Sequence, residues 1–386
     1  MVSVLVLDSQ QRSALSVTRS LGAKGIRVIC ADTSTKSLAG SSRFSYTTEA
    51  YADPNKSEEF IDDINRIIRK YNIKAIYPVT EISVYTLLEN KERLLPVKLP
   101  FSDIDTVRSL SDKGALIERC KQLGVLAPIS DHYDNSQTLR TYSAFPVVLK
   151  PTLSRVKVDG GWLATAVTYA HSQHELECLV SESAAFRDHP FMVQGYVSGH
   201  GSGIFLLYDH GKCIAHFAHK RLREKPPTGG VSVLSESVLS DSTQLSAARK
   251  LLDSVNWHGV AMVEFKVDDS DDAYVIEVNP RFWGSLQLAI DSGVDFPYLL
   301  HEATMGHSVQ AVTEYEKGVK LRWLLGDLDR LYLVLKSRQY SLYRKIIESL
   351  KFLLPFAPKM RYEVNRFGDF RPFLSELKNY IKSLRH

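Results

Sequence analysis

The sequence predicts a mixed α/β (α+β) protein: a Rossmann-like unit, a larger sheet-built body in two lobes, and a mainly helical tail. Three observations carry this. Over residues 1–90, apolar strand runs alternate with amphipathic helical runs, the pattern of a parallel, doubly wound sheet. From residue 203 to 281 the pattern becomes strands joined by short polar turns, which reads as antiparallel hairpins. Beyond residue 318 there are 15 Lys/Arg against 6 Asp/Glu, with apolar residues at helical spacing.

The elements follow in order. Residues 2–7 form an apolar strand, 14–24 a helix closed by Gly25, and 26–32 a second strand. A helix over 58–71, a strand over 75–79 and a helix over 84–90 complete the first unit. The turn Asp8-Ser9-Gln10-Gln11-Arg12-Ser13 lacks the glycines of a dinucleotide fingerprint, so this unit is not expected to cradle a pyrophosphate. Thr80-Glu81 lies past a strand's carboxyl end, where open α/β sheets place ligands. Glu81 is thus a candidate substrate contact, or simply an acid favoured by a helix N-terminus.

A Pro/Ser/Asp-rich stretch over 99–105 and the onset of the basic tail mark boundaries, giving units of 1–110, 111–310 and 311–386. In the second unit, Ser111-Asp112-Lys113 opens a helix ended by Gly124. A strand runs from Phe145 through Lys150 to Pro151, and Gly160-Gly161 sits in a turn. A helix (173–183), a strand (191–194) and a hairpin turning at Asp209-His210-Gly211 follow. The loop 220–230 then holds four cations and two prolines. The tail carries helical stretches over 324–337, 342–353 and 372–384.

Composition is that of an ordinary globular protein, 44% hydrophobic and 24% charged. No apolar run is long enough to span a bilayer, and residues 2–7 do not read as a signal peptide; a cytoplasmic protein is expected. The four cysteines are scattered, without a CxxC, and are expected to be reduced. The tail's net charge of +9, in a chain of +4 overall, leaves about −5 for the rest. Such a tail is either a solvated helical face or a surface for a membrane, an acidic partner or a second subunit.

The chemistry concentrates in one hairpin. Met262-Val263-Glu264-Phe265-Lys266 and Tyr274 through Arg281 flank an acidic turn. Residues two apart on a strand share a face at roughly 6.6 Å spacing. Glu277 and Asn279 therefore point one way, Ile276 and Val278 point into the core, and pairing can bring Glu264 to the first face. Two carboxylates and an amide oxygen form a hard, oxygen-only site suited to Mg²⁺, or an exposed acidic face. Arg281 follows directly. Lys113 at a helix start and Lys150 at a strand end are each suited to an anion.

In this order, the residues resemble the ATP-grasp superfamily, in its carboxylate–amine ligase branch allied to carbamoyl-phosphate synthase and biotin carboxylase. The resemblance runs over roughly residues 1–310, through Asp112-Lys113, Phe-Pro-Val-Val-Leu-Lys-Pro, Gly160-Gly161, Gln194-Gly195-Tyr196-Val197, Glu264 and Glu277-Val278-Asn279-Pro280-Arg281. It implies a pre-ATP-grasp domain, an ATP-grasp domain of two lobes (about 111–190 and 191–310), and ATP with Mg²⁺ (or Mn²⁺) as cofactors. Lys113 and Lys150 match the lysines that hold ATP phosphates, Gly160 and Gly161 the loop that covers them, and Gln194 to Val197 the segment whose backbone reads adenine. Glu264, Glu277 and Asn279 match the metal ligands. Arg281 matches the arginine beside the γ-phosphate and the reacting carboxylate. Gly195 replaces a usual acid, and His200 and Ser202 stand where an acid commonly grips ribose.

The implied activity is coupling of a small carboxylate to an amine through an acylphosphate, with a small-molecule kinase or a non-catalytic nucleotide-binding protein as alternatives. Glu81, Arg221, Arg223 and Ser285 are the candidate substrate contacts. No nucleic-acid partner is expected; the basic tail is a candidate for peripheral membrane contact or a homodimer surface.

Overall fold

A computed structural model describes residues 2–384 except 135–138, 153–154, 159–160, 165–166, 228–229 and 354–357, with backbone only for 155–158 and 161–164. Gly160 therefore lies outside the described residues, and Gly161 opens the strand Gly161–Ala164.

The first sheet has four parallel strands in the order Ser45–Ala50, Arg27–Asp32, Ser3–Val6, Ile73–Tyr77. Its inner strands are apolar without alternation because helices cover both faces. On one side, helix Ser57–Tyr71 places Phe60, Ile61, Ile64, Ile67 and Ile68 against Leu5, Ile29 and Ile76. The spacing is that of a single helical stripe, and the helix stops at Asn72 in the left-handed conformation. Helix Arg12–Ala23 covers the other face through Ala14, Leu15, Val17 and Leu21.

Among the described residues the second body holds two large, mainly antiparallel sheets and a two-stranded ribbon, Arg155–Val158 with Gly161–Ala164. A four-stranded sheet runs Ser130–Tyr133, Phe191–Gly195, Val147–Pro151, Thr168–Ala170. A seven-stranded sheet begins Ala273–Asn279, Gly259–Val267, His200–Asp209, Lys212–Lys225, Val231–Val238. Gly199, at φ 120°, enters that sheet so close to its neighbour that a Cβ would lie 1.9 Å from the Val267 carbonyl oxygen.

The last two strands of the large sheet, Lys320–Arg322 and Met360–Tyr362, come from the tail, so its three helices (Leu324–Lys336, Leu342–Leu353, Arg371–Ser383) are built onto the body. Buried ion pairs also tie the tail to the first unit: Arg12 to Glu363, and Arg19 to Asp369 at 2.7 Å. All four cysteines are free thiols.

Candidate active site

The strand register puts Glu264 directly opposite Glu277, and Met262 opposite Asn279. Between Glu264 and Phe265 the register slips: Phe265 faces Val275, leaving Ile276 as an extra residue. This β-bulge corrects the expected alternation, because Val275 and Val278 fill the core while Ile276 is only half-buried. Beyond the bulge the pairing is regular again, so Glu277 and Asn279 keep one face of the strand.

Two directly opposed carboxylates about 5 Å apart, at an effective dielectric of about 20, repel by about 3 kcal/mol. Burial first, and the Glu277 charge second, push the Glu264 carboxyl up to about 7, against the pull of Arg221 and Arg281. Asn279 is buried; its amide Nδ2 donates to Glu277 Oε1 at 2.9 Å, and its Oδ1 accepts from Arg281 at 3.2 Å. A divalent cation suits this set: two hard carboxylates face each other with an amide oxygen on the adjoining residue pair, and the like charges need a positive partner.

The two lysines reach the same place from the smaller sheet and its preceding helix. Asp112 caps helix Lys113–Gln122 by accepting from the Ala115 amide at 2.8 Å, and the buried Lys113 reaches Glu277 at 3.8 Å. Lys150 is buried on strand Val147–Pro151 and donates to Gln194 Oε1 at 2.7 Å. Burial lowers its ammonium to about 8; Lys113 also lowers it, while Glu277 and Glu264 pull upward. With Arg221 and Arg281 also acting on Glu264, cations outnumber the two acids here, an excess suited to a polyphosphate.

The expected adenine segment divides. The Gln194 side chain turns inward, bridging Lys150 and the Ser130 hydroxyl, to which it donates at 2.9 Å. Gly195, Tyr196 and Val197 instead line a separate cleft of about 440 Å³ with Ala127–Ile129 and Asp268–Ser270. Gly195 is tied to Ile129 O through its amide at 2.8 Å.

Arg281, Arg221, Glu81 and Ser285 all line one cavity of about 580 Å³ between the first unit and the second body, with Glu264 at its edge. Arg221 donates to Glu264 at 3.3 Å and pairs with Glu224 at 3.2 Å. Ser285 shares a 2.9 Å hydrogen bond with His219, whose imidazole is stacked on Phe205 and lowered to about 3 by burial and by Arg221, so it stays neutral.

Arg223 is not brought here. Between Arg221 and Arg223 the register also slips, Arg221 facing Ser235 and Arg223 facing Leu234, so Leu222 is an extra residue. The bulge sends the two arginines apart, and Arg223 binds the fully buried Asp327 at 2.7 Å and the Lys351 carbonyl at 3.2 Å.

Sequence reasoning missed three contributors. Arg12 lines the cavity, stacked over Trp323 at 3.9 Å and ion-paired to Glu363; a cation in a first helical turn was the available signal. Gln11 lines the cavity beside it. Asp8, at φ 55°, accepts from the Val79 and Thr80 amides at 3.0 and 2.9 Å and from Ser83 Oγ at 2.6 Å. It thereby fixes the loop that presents Glu81; an Asp where a glycine is expected was its only trace.

Comparison with known proteins converges on one fold. A family described as "ATP-grasp in the biosynthetic pathway with Ter operon" matches residues 187–326. A pyruvate carboxylase of Pichia angusta is 24% identical over 272 residues, 65% of this chain but only 22% of that enzyme's length. An L-amino acid ligase from Bacillus licheniformis superposes with a TM-score of 0.61 at 15% identity, over 79% of this chain and 74% of the other. Biotin carboxylase from Campylobacter jejuni, in a β-γ-ATP complex, gives 0.62 at 15% over 82% and 74%. An N5-carboxyaminoimidazole ribonucleotide synthetase in an ADP complex gives 0.61 at 13% over 86% and 84%. The chain shares its fold with these enzymes, and its residues 187–326 match an ATP-grasp family.

Proposed function

We propose that this protein is an ATP-dependent ligase that activates a small-molecule carboxylate and couples it to an amine, releasing ADP and phosphate. The observation that carries this is the cluster of Glu264, Glu277 and Asn279 with Lys113, Lys150 and Arg281, of which Glu264 and Arg281 also line the 580 Å³ cavity. Glu264, Glu277 and Asn279 hold Mg²⁺, with Mn²⁺ as a substitute. When bound, the metal supplies charge neutralisation for the triphosphate.

Lys113 and Lys150 hold phosphate oxygens as point charges, and the Gln194 carbonyl keeps the Lys150 ammonium aimed. Arg281 leaves its Asn279 contact to steady the γ-phosphate against the incoming carboxylate. A carboxylate oxygen attacks the γ-phosphorus and ADP departs, giving an acylphosphate. The amine nitrogen then attacks the acyl carbon and phosphate leaves. Positioning and charge neutralisation are the protein's main contributions to such a transfer. Arg221 and Ser285 orient the substrate acid, and Glu81 faces its far end.

The test is incubation with Mg-ATP and a carboxylate library, with and without amines, following ADP, phosphate and product mass. Amine-dependent ADP release with an amide product supports the ligase. A stable phosphorylated product would replace it with a kinase, and no turnover with any mixture would leave a nucleotide-binding protein.

A further inference from the structure

The tail helix Leu342–Leu353 leaves five apolar side chains in solvent: Leu342, Tyr343, Ile346, Leu350 and Leu353, each between 51% and 75% exposed. At about 100° per residue they fall within about 100° of arc, a continuous stripe on the outer face. Monomeric proteins seldom leave such a stripe bare.

The inner face cannot rotate to hide it. Glu348 is buried and pairs with Arg330 at 2.8 Å, Arg322 donates to the Phe352 carbonyl at 2.9 Å, and Arg223 to the Lys351 carbonyl at 3.2 Å. Two guanidinium groups on the last carbonyls also complement the helix dipole.

The flanks are positive. Residues 330–353 contain six Lys/Arg and one acid, Glu348, which is turned inward. Lys345 lies about 60° beyond one edge of the stripe, and Arg344 and Lys351 lie about 80–100° beyond the other, on the polar side, where Lys351 also reaches Glu348 at 3.4 Å; exposed Lys336 and Arg338 lie at the end of the preceding helix and just past it. Among the described residues no helix is long and apolar enough to cross a membrane.

We propose that Leu342–Leu353 docks this protein on an anionic lipid surface, lying in the interfacial plane with its stripe at the acyl boundary and its cations among the headgroups. Charge decides between this and a second copy of the chain. A two-fold contact would set the face against itself and press Arg344, Lys345 and Lys351 of both copies together, with Glu348, already shared by Arg330 and Lys351, the one acid on the helix. Anionic headgroups neutralise that rim.

The full-length protein is to be sedimented with phosphatidylcholine vesicles, with and without phosphatidylglycerol. Binding only to the anionic vesicles, weakened by salt, is expected. Removing two rim cations (Arg344→Ala with Lys345→Ala) should weaken it roughly 30-fold, about fivefold for each cation. Ile346→Ser with Leu350→Ser should also weaken it while circular dichroism stays unchanged, since both side chains are exposed. Failure to bind anionic vesicles, or binding untouched by both double variants, overturns the proposal. So does a concentration-dependent dimer in sedimentation velocity that the Ile346→Ser/Leu350→Ser variant abolishes.

Discussion

Replacing Gln194 with leucine tests how the site keeps a buried lysine charged. Lys150 titrates near 8 because burial disfavours its ammonium, and its one 2.7 Å acceptor is Gln194 Oε1. A hydrogen bond to a charged group contributes about 1.5–3 kcal/mol. One pKa unit corresponds to about 1.4 kcal/mol, so losing this acceptor should lower Lys150 by about 1–2 units, to roughly 6–7. Ser130, the other partner of Gln194, keeps its bond to the Pro128 carbonyl at 2.8 Å, so only the amide contact is lost.

The sign follows from the charge. Phosphate binding needs the protonated lysine, which exists below its pKa. In the parent protein kcat/KM for ATP, which reports the free enzyme, should fall as pH rises through about 8. In Gln194→Leu that limb should move down by about 1–2 units, a loss of roughly 2–10-fold at pH 7 that largely vanishes near pH 5.5. The assay is ADP release against ATP concentration across the pH range. An alkaline limb at the same pH in both proteins would refute the reasoning.

Three further outcomes are expected. Lys150→Met should abolish ATP turnover yet stabilise the fold by on the order of 1–3 kcal/mol at pH 7 in urea unfolding, because a costly buried charge is removed. That gain should shrink as pH rises from about 8 to 10.5: there the unfolded lysine keeps its proton, the folded one has lost it, and the parent's stability climbs. Asp8→Asn should raise KM for the carboxylate several-fold with KM for ATP unchanged, since Asp8 holds the Val79–Thr80 amides that place Glu81; a rise confined to ATP would contradict that role. Arg221→Met should impair turnover at little cost in stability, whereas Arg223→Met should lose about 1–3 kcal/mol of stability through its buried Asp327 partner. The reverse pattern would undo the separation of these two arginines.

The hairpin was legible because a two-residue period places Glu277 and Asn279 together whatever surrounds them. The two bulges were not legible. Residues 221 and 223 ought to share a face, and only the register slip at Leu222, set by pairing with Val231–Val238, separates them. The slip at Ile276 likewise depends on the partner strand. Gln194 read as part of a backbone contact because nothing local indicates that its side chain meets a lysine 44 residues earlier. Arg12 was hidden by distance: its partner Glu363 comes from a tail that reads only as basic and helical, and whose short strands carry too few residues to register as a period.

The central claim is that the paired carboxylates form the metal floor of a nucleotide site. Mn²⁺ binding, followed by its paramagnetic resonance signal with a non-hydrolysable ATP analogue, tests it directly in the parent protein and in Glu277→Gln. The account predicts nucleotide-dependent Mn²⁺ binding in the parent, and its loss together with ATP turnover in Glu277→Gln while the melting temperature holds. Undiminished Mn²⁺ binding and turnover in that variant would contradict it.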